Sequence, residues 1–306
     1  MKLFHSRIVI MSALIFLGGK TASDAGNKVI GVSLLTREHR FYRDLEKGLQ
    51  EEAGKKGYTL IVKTGEFDIE KQVSQVHDFI AKKVHAIILA PCNSRAIGRA
   101  IATINRAGIP VFTVDIANIS PQGNVVSHIA SDNKEGGRKA AQMIARALNN
   151  KGKVVIISHP DVTSVFDRVV GFREEMMKYP GIKIIADIPA WGQRNRAMSI
   201  MEEILLMVPD VDAVFAINDA SALGALQACE SAGKKIVIVG YDATPEAKKA
   251  ILDGRIYGDV VQYPDKIGTI TLQTVNNYFN NRKVSVRTLV PIGVFTKVEP
   301  GSLTNK

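Results

Sequence analysis

The chain has 306 residues, 46% of them hydrophobic and 23% charged, with a formal net charge of +10. This composition excludes a disordered, collagen-like or disulfide-framework protein and leaves room for one large domain or two of ordinary size. The basic residues fall in pairs (Lys55-Lys56, Lys82-Lys83, Lys234-Lys235, Lys248-Lys249) with acids nearby, the pattern of a solvated cationic surface. No helix-turn-helix, zinc-finger spacing or aromatic-basic interleave accompanies them, so nucleic acid is not an expected partner.

Residues 1–25 read differently from the rest. Lys2 and Arg7 flank the start of an uncharged apolar run over 8–19, and small residues follow near Ala22 and Ala25. That is the three-part layout of a secretory signal peptide, with an apolar run too short to span a bilayer. No cysteine follows the run to carry a lipid anchor, and no later stretch is long and apolar enough for a membrane span. The expected location is therefore periplasmic or extracytoplasmic. Cys92 and Cys229 fall in different halves and are expected to be buried small hydrophobes rather than a bridge.

From residue 28 onward the chain alternates strand and helix. Residues 28–35 (KVIGVSLL) are a continuous apolar run, the mark of a strand buried on both faces. Phe41, Leu45, Leu49 and Ala53 then recur at four-residue spacing up to Gly57, which predicts a helix over 41–56. A strand over 58–63, a helix over 68–82 capped by Asp68, a strand over 85–90, a helix over 94–107 and a strand over 110–114 follow. At 125–133, VVSHIASDN, an apolar run turns into helix-opening residues. The alternation then restarts: strands over 153–158, 182–188, 213–217, 235–239 and 256–263, helices over 163–178, 194–207, 221–232, 245–252 and 264–281, and two short extended pieces. Strict alternation predicts parallel sheets flanked by helices, an α/β protein of two Rossmann-like lobes.

In such sheets ligands bind beyond the carboxyl ends of the strands, so the residues just past each apolar run are the ones to inspect. They are Glu38, His39, Arg40, Phe41 and Tyr42 after the first strand, and Asp115 after the fourth. In the second half they are Thr163, Ser164, Asp167, Arg168, Trp191, Asn218, Asp219, Asp242 and Gln262. Carboxylates and amides pair with adjacent hydroxyls, Arg adds planar charged donors, and aromatic faces suit the C–H face of a sugar ring. Each residue also has a structural explanation. Phe41 could staple its helix, Asp219 and Asp242 could cap helices, Arg168 could lie on a solvated face, and Trp191 could fill a core edge. Their joint placement at strand ends favours a polyhydroxyl ligand.

No phosphate-binding glycine loop, nucleophile elbow, H-E-x-x-H or C-x-x-C occurs, and the six histidines are scattered. Neither enzyme activity nor a cofactor nor a metal is expected.

VVSHIASDN (125–133), PDVDAVFAINDASALGAL (209–226), VIVGYDATPEAKKAI (237–251) and QYPDKIGT (262–269) resemble the periplasmic sugar-binding proteins of ABC importers, of the ribose-binding type. The resemblance covers nearly all of the chain after residue 25. It implies a type I periplasmic binding fold with three hinge crossings, near 125–133, Gln262 and Pro291. Residues 26–130 plus 263–290 would form the N-terminal lobe and residues 131–262 plus 291–306 the C-terminal lobe. It also implies a monomer that closes on a small carbohydrate and meets a membrane ABC permease transiently. Matched by position, the ligand contacts would be His39, Phe41, Tyr42, Asp115, Arg168, Asn218, Asp242 and Gln262. Trp191 matches after a one-residue shift.

Two departures argue against ribose itself. The ribose-type pattern has Asn-Asn-Pro where this chain has Glu38-His39-Arg40, and an Arg where this chain has Ile116. Glu38 and Arg40 would support the ligand contacts or add a new one. A sensory protein presenting its ligand to a membrane receptor and a LacI-type effector domain share the fold. The second needs a DNA-binding headpiece where this chain carries the signal-like segment.

Overall fold

The computed structural model describes residues 27–297; the segment read as a signal peptide lies outside them. The first half runs β1 (Val29–Leu34), α1 (Arg40–Lys56), β2 (Thr59–Thr64), α2 (Ile69–Ala81), β3 (Ala86–Leu89), α3 (Gly98–Arg106), β4 (Val111–Val114) and β5 (Ser127–Ser131). The second half begins α4 (Asn133–Ala147), β6 (Gly152–Ser158), α5 (Thr163–Met176), β7 (Ile182–Pro189), α6 (Arg194–Met207), β8 (Ala213–Ala216) and α7 (Asp219–Ser231). It ends β9 (Val237–Asp242), α8 (Pro245–Leu252), β10 (Gly258–Val261), α9 (Pro264–Phe279), β11 (Arg287–Val290) and β12 (Gly293–Thr296).

These strands form two six-stranded sheets, ordered β11-β5-β4-β3-β1-β2 and β12-β10-β9-β8-β6-β7. The apolar runs become the central strands: every residue of β3 and β8 is buried. The chain passes between the sheets three times, from β5 to α4, from β10 to α9 (which packs on α1, β4 and β5), and from β11 to β12.

Two features depart from strict alternation. β12 runs antiparallel to β10, because only Pro291 and Ile292 separate it from β11 and no crossover helix turns the chain round. No helix joins β4 to β5. That connection folds through the Asn118 side chain, whose Oδ1 accepts from Ser120 N and whose Nδ2 donates to Gln122 O.

Local capping chemistry sets several boundaries. Asp68 accepts from Glu70 N and Lys71 N and starts α2, as the sequence predicts. α3 starts four residues later than expected because Asn93 Oδ1 captures the Arg95 and Ala96 amides in a turn. α7 starts two residues earlier, at Asp219, with Asn218 as its cap.

The helix that matters most for the cleft is α5. Its Phe172 stacks on Phe215 of β8, ring centroids 4.5 Å apart, and this fixes the helix on the second sheet. α4 lies so close that a Cβ on Gly137 would collide with the Arg168 carbonyl, and one on Gly171 with the Lys134 carbonyl. Only glycine permits that approach, and it brings Asn133 beside the Arg168 side chain. Both Cys92 and Cys229 are free and buried.

Candidate functional site

The carboxyl ends of the two sheets face each other across a cleft, and the loops beyond them touch. Thr163 N donates to Ser94 Oγ (2.9 Å), Ala117 N to Thr163 Oγ1 (2.7 Å) and Ser94 N to the Asp161 carbonyl (3.0 Å). Between the sheets lies a narrow cavity of about 40 Å³. Its lining includes nine residues singled out from the sequence: His39, Phe41, Tyr42, Asp115, Ser164, Arg168, Asn218, Asp242 and Gln262.

On the first sheet's side, Asp115 ends β4 in the left-handed region, φ 62°, which turns its carboxylate into the cleft. Oδ2 accepts from the Tyr42 hydroxyl at 2.6 Å, whereas Oδ1 is buried with no partner among the described residues. Burial pushes this carboxyl up, opposed by the Arg168 charge and the Tyr42 hydrogen bond. Phe41 packs edge-on against Tyr42, centroids 5.1 Å apart, and both are buried. Ile116, also buried, closes this wall with methyl surface.

His39 is the N-cap of α1 yet makes no side-chain cap bond. Its ring instead crosses the cleft, with Nε2 3.0 Å from the Gly192 carbonyl. A carbonyl only accepts, so Nε2 carries the proton. Burial is the main influence that lowers the imidazole to about 4 and keeps it neutral.

On the second sheet's side, Arg168 is 4% exposed. Its Nε donates to Asn133 Oδ1 (2.8 Å), its Nη1 to the Ile217 carbonyl (2.6 Å), and its guanidinium lies 3.8 Å over the Tyr241 ring. This is no solvated helix face. Asn218 Oδ1 accepts from Ser221 N, which leaves Nδ2 to donate to the Gly192 carbonyl at 3.1 Å. Gly192, at φ 70°, presents that carbonyl to both His39 and Asn218. Gln262, leaving β10 toward α9, donates Nε2 to Asp242 Oδ1 at 2.6 Å, while its buried Oε1 has no partner among the described residues. Desolvation pushes the Asp242 carboxyl up to about 8, with Arg168 opposing and Asp219 reinforcing.

Behind Asp242 the loop is pinned by two buried carboxyls. Asp219 Oδ2 accepts from Thr244 N (2.6 Å) and Asp259 Oδ2 from Ala243 N (3.2 Å). Their other oxygens, Asp219 Oδ1 and Asp259 Oδ1, are buried with no hydrogen-bond partner among the described residues. Burial and the neighbouring Asp219 hold Asp259 well above the ordinary carboxylate range. This acid pair steadies Asp242 and Ala243, both at positive φ.

Glu38, Arg40, Thr163, Asp167, Trp191 and Asp219, also singled out from the sequence, lie outside the cavity lining. Glu38 is exposed and borders an outer groove of about 410 Å³ with Arg40, Arg43 and Arg194, because the chain turns over between residues 38 and 39 as α1 begins. Arg40 is bound to Asp44. Trp191, at φ 54°, carries the Arg196 guanidinium on its ring at 4.9 Å and is not among the cavity residues. The sequence reading passed over His159, Val162, Val165 and Ile217, which the structure places in the lining. His159 directly follows β6, so the strand-end rule could have found it.

Residues 30–283 match the family described as the periplasmic binding protein domain. The chain is 32% identical over 293 residues to the ribose import binding protein of Haemophilus influenzae, covering 95% of this chain and 99% of that protein. It is 34% identical over 279 residues to the ribose import binding protein of Bacillus subtilis, covering 90% of each. An ABC transporter periplasmic solute-binding protein from Actinobacillus succinogenes, solved with bound D-allose, superposes with a TM-score of 0.82 at 29% identity, covering 88% of this chain and 98% of that one.

Proposed function

The chain belongs to the periplasmic binding protein family, and on that premise we propose that it captures a monosaccharide or sugar alcohol between its two sheets for a membrane ABC permease. It is a binding protein and not an enzyme. The observation that carries the sugar reading is the cavity's unpaired acceptors, Asp115 Oδ1 and Gln262 Oε1, set opposite the Arg168 guanidinium and beside Phe41. Acceptors on two walls with one cationic donor suit an uncharged ligand rich in O–H groups, and the aromatic face suits its C–H side. Ile116 offers no donor, so ribose itself is not the expected ligand.

The mechanism is a clamp. The lobes, residues 26–130 plus 263–290 and residues 131–262 plus 291–306, turn about the three crossings. Only the closed form contacts the ligand from both walls, so a ligand draws the population toward closure by its differential affinity. The permease then receives the closed form, and the protein works in the periplasm as a monomer.

A thermal-shift screen with D-ribose, D-allose, D-xylose, xylitol and myo-inositol tests this. A sugar at a hundred times its dissociation constant adds about 2.7 kcal/mol of stability. No shift with any sugar or polyol overturns the reading.

A further inference from the structure

We propose that His159 and His39 meet the captured ligand as a pair of neutral imidazoles, one from each wall, and that ligand capture is therefore linked to proton release. This rests on the sugar-clamp reading.

His159 sits just past β6 and is 6% exposed, and it lines the cavity that also holds His39. Its ring has no hydrogen-bond partner among the described residues, although neutral imidazole offers one donor and one acceptor. A side chain this buried, aimed into a ligand cavity and unpaired, is placed for a hydroxyl. His39 approaches from the other wall; its Nε2–H is taken by the Gly192 carbonyl, which leaves Nδ1 as an acceptor. A hydroxyl group can serve both rings.

Burial disfavours charge on either ring, although each has a neighbour that favours it, the Gly192 carbonyl at His39 and Asp161 at His159. Arg43 on α1 and Arg168 on α5 face His39, with Glu66 after β2 opposing them. Asp161 and His39 face His159. Burial outweighs these neighbours and lowers both rings to about 4. In an opened cleft each would titrate near its ordinary value of about 6.5.

Closing must then expel protons in the interval between. Affinity is full above about pH 6.5 and falls as the pH drops toward 4, by up to about tenfold per pH unit for each ring. Asp115 and Asp242 pull the other way, since burial favours their protonated forms. His128, on β5 and bonded to Thr113, lies outside this cavity. All three are common to wild type and variants, so the histidine contribution is the difference between profiles.

The test is isothermal titration calorimetry of D-ribose, D-allose, xylitol and myo-inositol from pH 7.5 to 5.0, each in two buffers of different ionisation enthalpy. Wild type is compared with His159→Gln, His39→Gln and the exposed control His77→Gln. Between those limits the wild-type Kd should rise by at least about tenfold more than that of His159→Gln. Binding at pH 5.5 should release fewer protons in either cavity variant than in wild type, while His77→Gln follows wild type. His39→Gln carries the test if His159→Gln does not fold. Profiles and proton release in the cavity variants that superimpose on wild type overturn the proposal. Failure of all four sugars to bind wild type at pH 7.5 overturns the sugar reading, and this inference with it.

Discussion

The two walls of the cleft are built differently. The first sheet contributes mostly surface: Phe41, Tyr42 and Ile116, with one carboxylate, Asp115, held by a single hydroxyl. The second contributes a polar network already paired within its own elements. Arg168 is bonded to Asn133 and Ile217, Asn218 to Ser221 and Gly192, and Asp242 to Gln262 at the crossing. Orientation is preset on one wall, whereas the other supplies contact area and one acceptor, Asp115 Oδ1, without a partner among the described residues. Substitutions on the second wall should therefore cost both affinity and ligand-free stability, and those on the first wall mainly affinity.

The largest effect is expected from Arg168→Ala. It should abolish the sugar-induced thermal shift and also lower ligand-free stability by about 1–3 kcal/mol, since the buried Asn133 and Ile217 oxygens lose their charged donor. An unchanged ligand-free melt would erase the distinction between the walls. Asp115→Ala should weaken sugar binding by about 10- to 150-fold, equal to about 1.5–3 kcal/mol for a hydrogen bond to a charged group. Its ligand-free melt should stay near wild type, because the carboxylate has few native partners; calorimetry and melting of one preparation check both halves.

Asp259→Asn probes the support beneath the second wall. A carboxyl held above its unfolded value contributes stability below that value and loses it as the pH rises. Wild type therefore weakens relative to the neutral amide as the pH climbs from 5 to 8, by up to about 1.4 kcal/mol per pH unit. A melting difference independent of pH would show that no proton is held there. Glu38→Ala and Trp191→Ala should change sugar affinity by about twofold or less, as for ordinary surface changes. A tenfold loss from either would extend the site into the outer groove.

Much of this was legible in the sequence because parallel sheets fix where ligands go. The rule of looking past each strand end found Tyr42, Asp115, Arg168, Asn218, Asp242 and Gln262, all in the cavity lining. The same rule gave Glu38 and His39 together, since adjacent residues look alike until a helix start turns one inward. It also gave Trp191, whose left-handed backbone directs the ring to Arg196. His159, directly after β6, falls under the same rule and was left out.

The sequence by itself determined the apolar periods, the caps and the glycines, and hence the order of strands and helices. These depend on residues within a few positions of one another. Only the tertiary structure decided that Asn133 supports Arg168, that β12 runs antiparallel, that Asp219 and Asp259 are buried together behind Asp242 and that two histidines line one cavity. Protonation and orientation follow from burial, and burial follows from which distant elements pack together.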